Sequence, residues 1–189
     1  MKVGIISGSS RSGNNTLRVA KAISKELPGS EIVDFQDYDI PVFNGKGLDK
    51  GNESTFQKDL IRVMNDSDLL FILTPEYNWF PSAEIVNMIH TLGNGTYKHL
   101  FDNKVIATVG VSAGRGGRMP AVQLGYVLNK VISFLNLNSV VSPKNFEAQE
   151  IFSTTDSDGV LQENDTYNEG FRSFLEYSVK LAKRWQASA

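Results

Sequence analysis

Short apolar runs alternate along this chain with longer segments whose apolar positions recur every three or four residues. Val3-Gly4-Ile5-Ile6 opens the series and predicts a buried first strand. Leu17, Ala20, Ile23 and Leu27 follow at helical spacing, and Pro28-Gly29 ends that helix. Glu31 to Phe35 predicts a second strand. A loop rich in Asp, Pro, Gly and Asn then runs from Gln36 to Asn52. Its apolar centre, Ile40-Pro41-Val42-Phe43-Asn44, is expected to pack against the body of the protein. Phe56, Leu60, Val63 and Met64 mark one face of a second helix. The strongest run is Leu69-Leu70-Phe71-Ile72-Leu73-Thr74, whose continuity predicts burial on both faces and a central parallel strand.

The alternation continues to the C-terminal region. Ile85, Met88, Ile89 and Leu92 share a face of a third helix, and Lys104 to Val111 predicts a fourth strand. Ala121, Leu124, Leu128, Val131 and Leu135 define a long fourth helix, and Ser139-Val140-Val141 a fifth strand. Asp156-Ser157-Asp158-Gly159 is a turn. Asp165 or Thr166 is expected to cap a last helix with a core face of Phe171, Phe174, Leu175, Ser178, Leu181 and Trp185. Short strands separated by helices imply right-handed parallel crossovers, hence a doubly wound α/β sheet in a single domain covering residues 1–189. Ligands of such sheets lie beyond the carboxyl ends of the strands, so the loops after strands one, three and four belong together.

Composition narrows the partners. Formal net charge is −2 and no basic stripe stands out, which argues against nucleic acid. The absence of cysteine excludes disulfides, thiolate metal sites and a cysteine nucleophile, and fits a cytoplasmic protein. No apolar stretch approaches the roughly 20 residues that span a bilayer, and Met1-Lys2 leads into a run too short for a signal peptide. His90 and His99 are isolated, so no metal site is expected.

The loop after strand one is Gly8-Ser9-Ser10-Arg11-Ser12-Gly13-Asn14-Asn15-Thr16. A Gly/Ser/Asn loop running into a helix start is an anion cradle: unpaired N–H groups and a positive dipole end converge there, with hydroxyls and a guanidinium beside them. The loop after strand three, Thr74-Pro75-Glu76-Tyr77-Asn78-Trp79-Phe80-Pro81-Ser82, places three aromatics within four residues, either packed down as core or forming a wall for a flat ring. The loop after strand four, Ser112-Ala113-Gly114-Arg115-Gly116-Gly117-Arg118, lets backbone approach a ligand closely. Together they describe a mononucleotide site, and FMN fits best.

These segments resemble the NAD(P)H-dependent FMN reductases, flavodoxin-like proteins that include quinone, azo-dye and chromate reductases. Gly8-Ser9-x-Arg11 with Asn15-Thr16 looks like the family's phosphate loop. Thr74-Pro75-Glu76-Tyr77-Asn78, with Asn87 beyond it, looks like its flavin-ring motif. Ser112-Ala113-Gly114 with Gly116-Gly117, then Ala121, Gln123 and Leu124, resembles the loop and helix beside the flavin, and Ile40 to Asn44 resembles a segment after its second strand. The sequence departs from the family at Trp79-Phe80, where small or polar residues are usual, and at Pro81-Ser82, where proline falls one position early.

The resemblance implies a five-stranded sheet of order 2-1-3-4-5. It implies FMN as cofactor, NAD(P)H as co-substrate and a small-molecule electron acceptor: a quinone, flavin, azo compound or metal oxyanion. The cofactor-binding residues would be Ser9, Arg11, Asn15, Thr16, Pro75, Glu76, Tyr77, Asn78, Trp79, Ser112, Ala113, Gly114, Gly116 and Gly117. No side chain is assigned acid–base catalysis, because the chemistry belongs to the flavin N5. Arg115 and Arg118 are candidates for the 2′-phosphate of NADPH. A homodimer or homotetramer is expected, with no membrane association. The competing reading is a flavodoxin-like electron carrier without turnover of its own.

Overall fold

The computed structural model describes residues 1–187. Six parallel-paired strands form one sheet: β1 Val3–Ser7, β2 Glu31–Asp34, β3 Leu69–Pro75, β4 Val105–Val111, β5 Val140–Val141 and β6 Phe146–Ala148. Their order is β2-β1-β3-β4-β5, as expected, with β6 also beside β4. The fifth position is therefore shared by two short pieces. β5 pairs with Val105 and Ile106 at the start of β4, and β6 pairs with Val109 to Val111 at its end. Pro143 lies between them and has no N–H to donate, so the ladder breaks there. Phe146-Glu147-Ala148 carries no apolar run, which is why the pattern of the sequence misses it.

Helices α1 Asn15–Glu26, α2 Thr55–Asp66, α3 Ala83–Leu92, α4 Arg118–Leu135, α5 Ile151–Thr154 and α6 Asp165–Gln186 cover the two faces. All seven residues of β3 are buried. Leu70 and Ile72 join Leu60, Met64, Met88 and Leu124 in one apolar layer, beneath α2, α3 and α4. Leu69, Phe71 and Leu73 join Val19, Ile23, Phe171 and Phe174 in the other, beneath α1 and α6. Burial on both faces is what a continuous apolar strand encodes.

Several boundaries move. Leu17 is only half-buried and Leu27 is the C-cap of α1, whose buried residues are Thr16, Val19, Ala20, Ala22 and Ile23. β2 stops at Asp34, and Phe35 starts a short 3₁₀ turn. Asn164, not Asp165 or Thr166, caps α6; its Oδ1 accepts the Tyr167 N–H at 3.1 Å. Leu181 and Trp185 are partly buried, whereas Tyr167 and Ala182 join the core face.

In the Gln36 to Asn52 segment, Ile40 packs into the core while Val42 is 85% exposed. Lys104, expected as the start of the fourth strand, lies just before β4, almost fully buried. Its Nζ donates to the carbonyl oxygens of Met64 and Ser67 (3.1 Å for Ser67) and closes the C-terminal end of α2. Burial pushes its pKa down to about 8. Among the described residues, no helix is long and apolar enough to cross a membrane, and no group of His, Cys, Asp or Glu could hold a metal ion.

Candidate cofactor-binding site

The cradle between β1 and α1 is organised by Asn14. Its Oδ1 accepts three hydrogen bonds: from the Leu17 N–H at 2.7 Å, from Thr16 Oγ1 at 2.6 Å and from Ser7 Oγ at 3.1 Å. Its Nδ2 donates to the Arg11 carbonyl and to Asp34 Oδ1, both at 3.1 Å. One buried amide thus caps α1, holds the loop backbone and ties it to the end of β2. Thr16 is fully buried and its hydroxyl is engaged by Asn14 and Ser7, so it builds the cradle from beneath. Gly13 turns the chain at φ +63°, a conformation glycine adopts without penalty. Ser9 is 2% exposed, and its hydroxyl has no partner among the described residues although the residue lines the cleft above. A hydroxyl at a cleft wall can donate one hydrogen bond and accept others. Ser10 donates instead to Glu84 at the start of α3.

The loop after β3 is a tight hairpin. Tyr77 and Phe80 exchange N–H···O=C bonds at 3.2 and 3.0 Å, and Asn78 and Trp79 turn between them at φ +53° and +69°. Positive φ at both central positions is the type I′ pattern, for which Asn is suited and Trp is not. Trp79 and Phe80 are 69% and 63% exposed, so neither packs down as core. The Glu76 N–H is engaged by the Val111 carbonyl and the Tyr77 N–H by Phe80, and Pro75 has none. Of the amides between Pro75 and Asn78, only that of Asn78 has no protein partner among the described residues. Ser82 fastens the hairpin's far end: its N–H donates to Thr74 Oγ1 at 2.9 Å and its hydroxyl to the Gly8 carbonyl at 2.6 Å. The residue that departs from the family pattern thus links hairpin to cradle.

The glycine loop after β4 is held from below and from the side. A Cβ on Gly110 would stand 1.7 Å from the Gly117 carbonyl oxygen, so two backbones touch there. Glu76 reaches across, and its carboxylate accepts the Gly117 N–H while filling the space a Gly116 side chain would need. Glu76 therefore caps the backbone amide of Gly117. Ser112 lies against the segment before α5: its N–H donates to the Ala148 carbonyl at 2.9 Å and its own carbonyl accepts the Ile151 N–H at 3.3 Å.

These loops enclose a cleft of about 240 Å³ lined by Ser9, Arg11, Ser12, Gly13, Asn15, Pro75, Glu76, Tyr77, Ala113 and Phe152, among others. Larger hollows occur elsewhere, one of about 550 Å³ between β2 and α2, lined by Asp34, Asp37 and Asp59 and by no residue of the Gly8–Thr16 loop, the hairpin or the glycine loop. Of the expected residues, Asn78 and Trp79 stand at the hairpin tip outside the lining, and Ser112, Gly114, Gly116 and Gly117 flank it through the β4 loop. Asn87 is elsewhere. Its Oδ1 accepts the Phe43 N–H at 2.7 Å, and its Nδ2 donates to the Tyr38 hydroxyl at 2.7 Å and the Pro41 carbonyl at 3.0 Å. It pins the long loop to α3.

Asn14 stood in the predicted loop without a role of its own, and Phe152 escaped the sequence reading. Asn14 was legible as the residue before a helix of known spacing. Phe152 carries no local signal, since only the return of the chain after β6 brings it to the cleft. The chemistry of the lining suits a phosphorylated flat ligand: the Ser9 hydroxyl, Arg11 and the start of α1 share one cleft with the Tyr77 ring.

Comparison with known proteins points the same way. A sequence profile described as NADPH-dependent FMN reductase matches residues 1–147. The NAD(P)H-dependent FMN reductase LOT6 of Saccharomyces cerevisiae is 28% identical over 111 residues, covering 49% of this chain and 58% of that protein, so little more than half of that relative's length is matched. In fold, the chain is similar to the flavoenzyme NAD(P)H:(acceptor) oxidoreductase FerB of Paracoccus denitrificans, with a TM-score of 0.76 at 20% identity over 97% of both chains. It is similar also to a flavodoxin from the domain Archaea, with a TM-score of 0.56 at 12% identity over 98% of this chain and 99% of that one.

Proposed function

Because the chain belongs to the NADPH-dependent FMN reductase family, we propose that it is an FMN-dependent oxidoreductase that moves reducing equivalents from NAD(P)H to a small acceptor: a quinone, a flavin, an azo compound or a metal oxyanion. When bound, FMN supplies hydride acceptance at N5 and electron delivery. The chain's residues supply the rest. Ser9, Arg11 and the amides from Ser12 to Thr16 hold the phosphate, with Asn14 keeping them in register. Tyr77 and the Asn78 N–H border the ring, and Glu76 holds the Gly116-Gly117 backbone beside it. The observation that carries this reading is the convergence of the unpaired Ser9 hydroxyl, the start of α1 and the Tyr77 hairpin on one cleft. Cytoplasmic placement is part of the same proposal, since NAD(P)H is at hand there.

The test is the spectrum of the purified protein. A bound flavin that bleaches anaerobically on addition of NADH or NADPH alone, and recovers with a quinone, supports the oxidoreductase. A flavin that stays oxidised until a separate reductase is supplied refutes it in favour of an electron carrier. A homodimer belongs to the same proposal. Met119, Val122, Tyr126 and Phe134 are 45%, 44%, 77% and 74% exposed on α4 at roughly helical spacing, an apolar stripe that association would cover. Tyr126→Glu is expected to shift light-scattering mass toward the monomer; an unchanged dimer would place the contact elsewhere.

A further inference from the structure

The arginines around the cleft differ in what they face. Arg115 Nε lies 3.4 Å from Glu150 Oε1, and Arg118 Nε lies 3.7 Å from Glu147 Oε1. Each already meets a carboxylate, which weakens its field for a further anion. Arg18, one turn into α1, makes no ion pair among the described residues. Its guanidinium carbon stands 5.3 Å from the ring centroid of Phe152. Asp156, whose titration senses Arg18 only weakly, has its carboxylate engaged by the N–H groups of Val160 and Asp158 at 2.8 and 2.9 Å.

Phe152 is 65% exposed and lines the same cleft as Arg11, Ser12, Gly13 and Ala113. A phenyl ring this exposed on a cleft wall, beside a guanidinium, offers a surface on which a planar base can stack. The guanidinium keeps N–H groups free in a planar fork that suits a phosphate.

We infer that Arg18 and Phe152 form a recognition site for the 2′-phosphoadenosine end of NADPH, the ring stacking on adenine and the guanidinium pairing with the 2′-phosphate. The inference rests on the reductase reading above and adds the side chains that would select the 2′-phosphorylated donor. It replaces Arg115 and Arg118 in that role.

The FMN-loaded full chain provides the test. Wild type, Arg18→Gln, Arg18→Lys and Phe152→Ala are titrated calorimetrically with adenosine 2′-monophosphate and 5′-monophosphate, and kcat/KM is measured with NADPH and NADH. Wild type should bind the 2′-phosphate compound more tightly. Arg18→Gln should abolish that preference and lower the NADPH-to-NADH ratio of kcat/KM by about tenfold, the loss of one charge-assisted contact. Arg18→Lys should recover part of it. Phe152→Ala should weaken both monophosphates together.

A wild type indifferent to the phosphate position, or an Arg18→Gln variant that loses NADPH and NADH equally, overturns the inference. Flavin content separates the two levels. A wild type that binds no flavin refutes both readings; one that binds flavin, is bleached by both nucleotides and ignores Arg18 refutes only this one.

Discussion

Replacing Asn14 by alanine separates the cradle's architecture from its chemistry. The substitution removes the cap acceptor for the Leu17 N–H and two donated bonds, to the Arg11 carbonyl and Asp34. The Ser7 and Thr16 hydroxyls remain paired with each other at 2.9 Å, so no buried orphan is created there. A lost N-cap costs about 1 kcal/mol and each lost neutral bond roughly 0.5–1 kcal/mol, for a total of about 2–3 kcal/mol. At about 2–4 °C per kcal/mol for a chain of this size, the thermal midpoint should fall by roughly 5–10 °C.

The second effect is on ligand binding. With the Arg11 carbonyl released, the loop's N–H groups no longer point together, and FMN affinity relative to riboflavin should fall by about tenfold. Thermal unfolding by circular dichroism reads the first effect. Flavin fluorescence titration with FMN and riboflavin reads the second. Asn14→Asp keeps the cap acceptor but sets a second carboxylate against Asp34, so it should recover only part of the lost stability. A midpoint within about 1 °C of wild type would refute the role of Asn14 as organiser. An equal loss of FMN and riboflavin would refute the cradle as the phosphate site.

Arg11 is exposed and makes no ion pair among the described residues, so Arg11→Ala should weaken FMN by about 1.5–3 kcal/mol and barely change riboflavin, read by the same titration. Gly110→Ala drives a methyl into the Gly117 carbonyl, and backbone cannot yield as a side chain can; it should cost about 3 kcal/mol or more in chemical denaturation. Gly114→Ala, which meets nothing within 4 Å, should be close to neutral by the same measurement. The Glu53 carboxylate accepts hydrogen bonds from the Tyr97 hydroxyl, its largest influence, and from the Gly51 N–H, which lower its pKa from 4.5 to about 2. That contribution to stability is present above pH 4.5 and lost as pH falls through about 2. Tyr97→Phe should return Glu53 toward its ordinary titration in carboxyl NMR and flatten the acid limb of stability over that window.

The order of strands and helices was readable along the chain because each element carries its own period. β3 reads as a buried strand since both of its faces are apolar, and α3 reads as a helix since Ile85, Met88, Ile89 and Leu92 share one face. The turn from Gly8 into α1 was equally legible, because its helix cap, Asn14 to the Leu17 N–H, joins residues three positions apart. Legibility failed where a partner is distant or where no run exists. β6 has three residues and no apolar run, so only pairing with Val109 to Val111 makes it a strand. Asn87 lies in a flavin-ring motif by resemblance, yet its partners Phe43 and Tyr38 stand more than forty positions away, and they decide its work.

By itself, then, the sequence determined a doubly wound α/β fold with a Gly/Ser/Asn loop running from its first strand into a capped helix, since periodicity and helix-start chemistry are local properties. Tertiary structure alone decided that the Glu76 carboxylate accepts the Gly117 N–H, and that Ser82 ties the Trp79 hairpin to Gly8. It also decided that Arg18 meets Phe152 at the edge of the cleft. Each of these contacts joins residues tens of positions apart. Such pairs leave no periodic trace, because the sheet, not the chain, sets their distance.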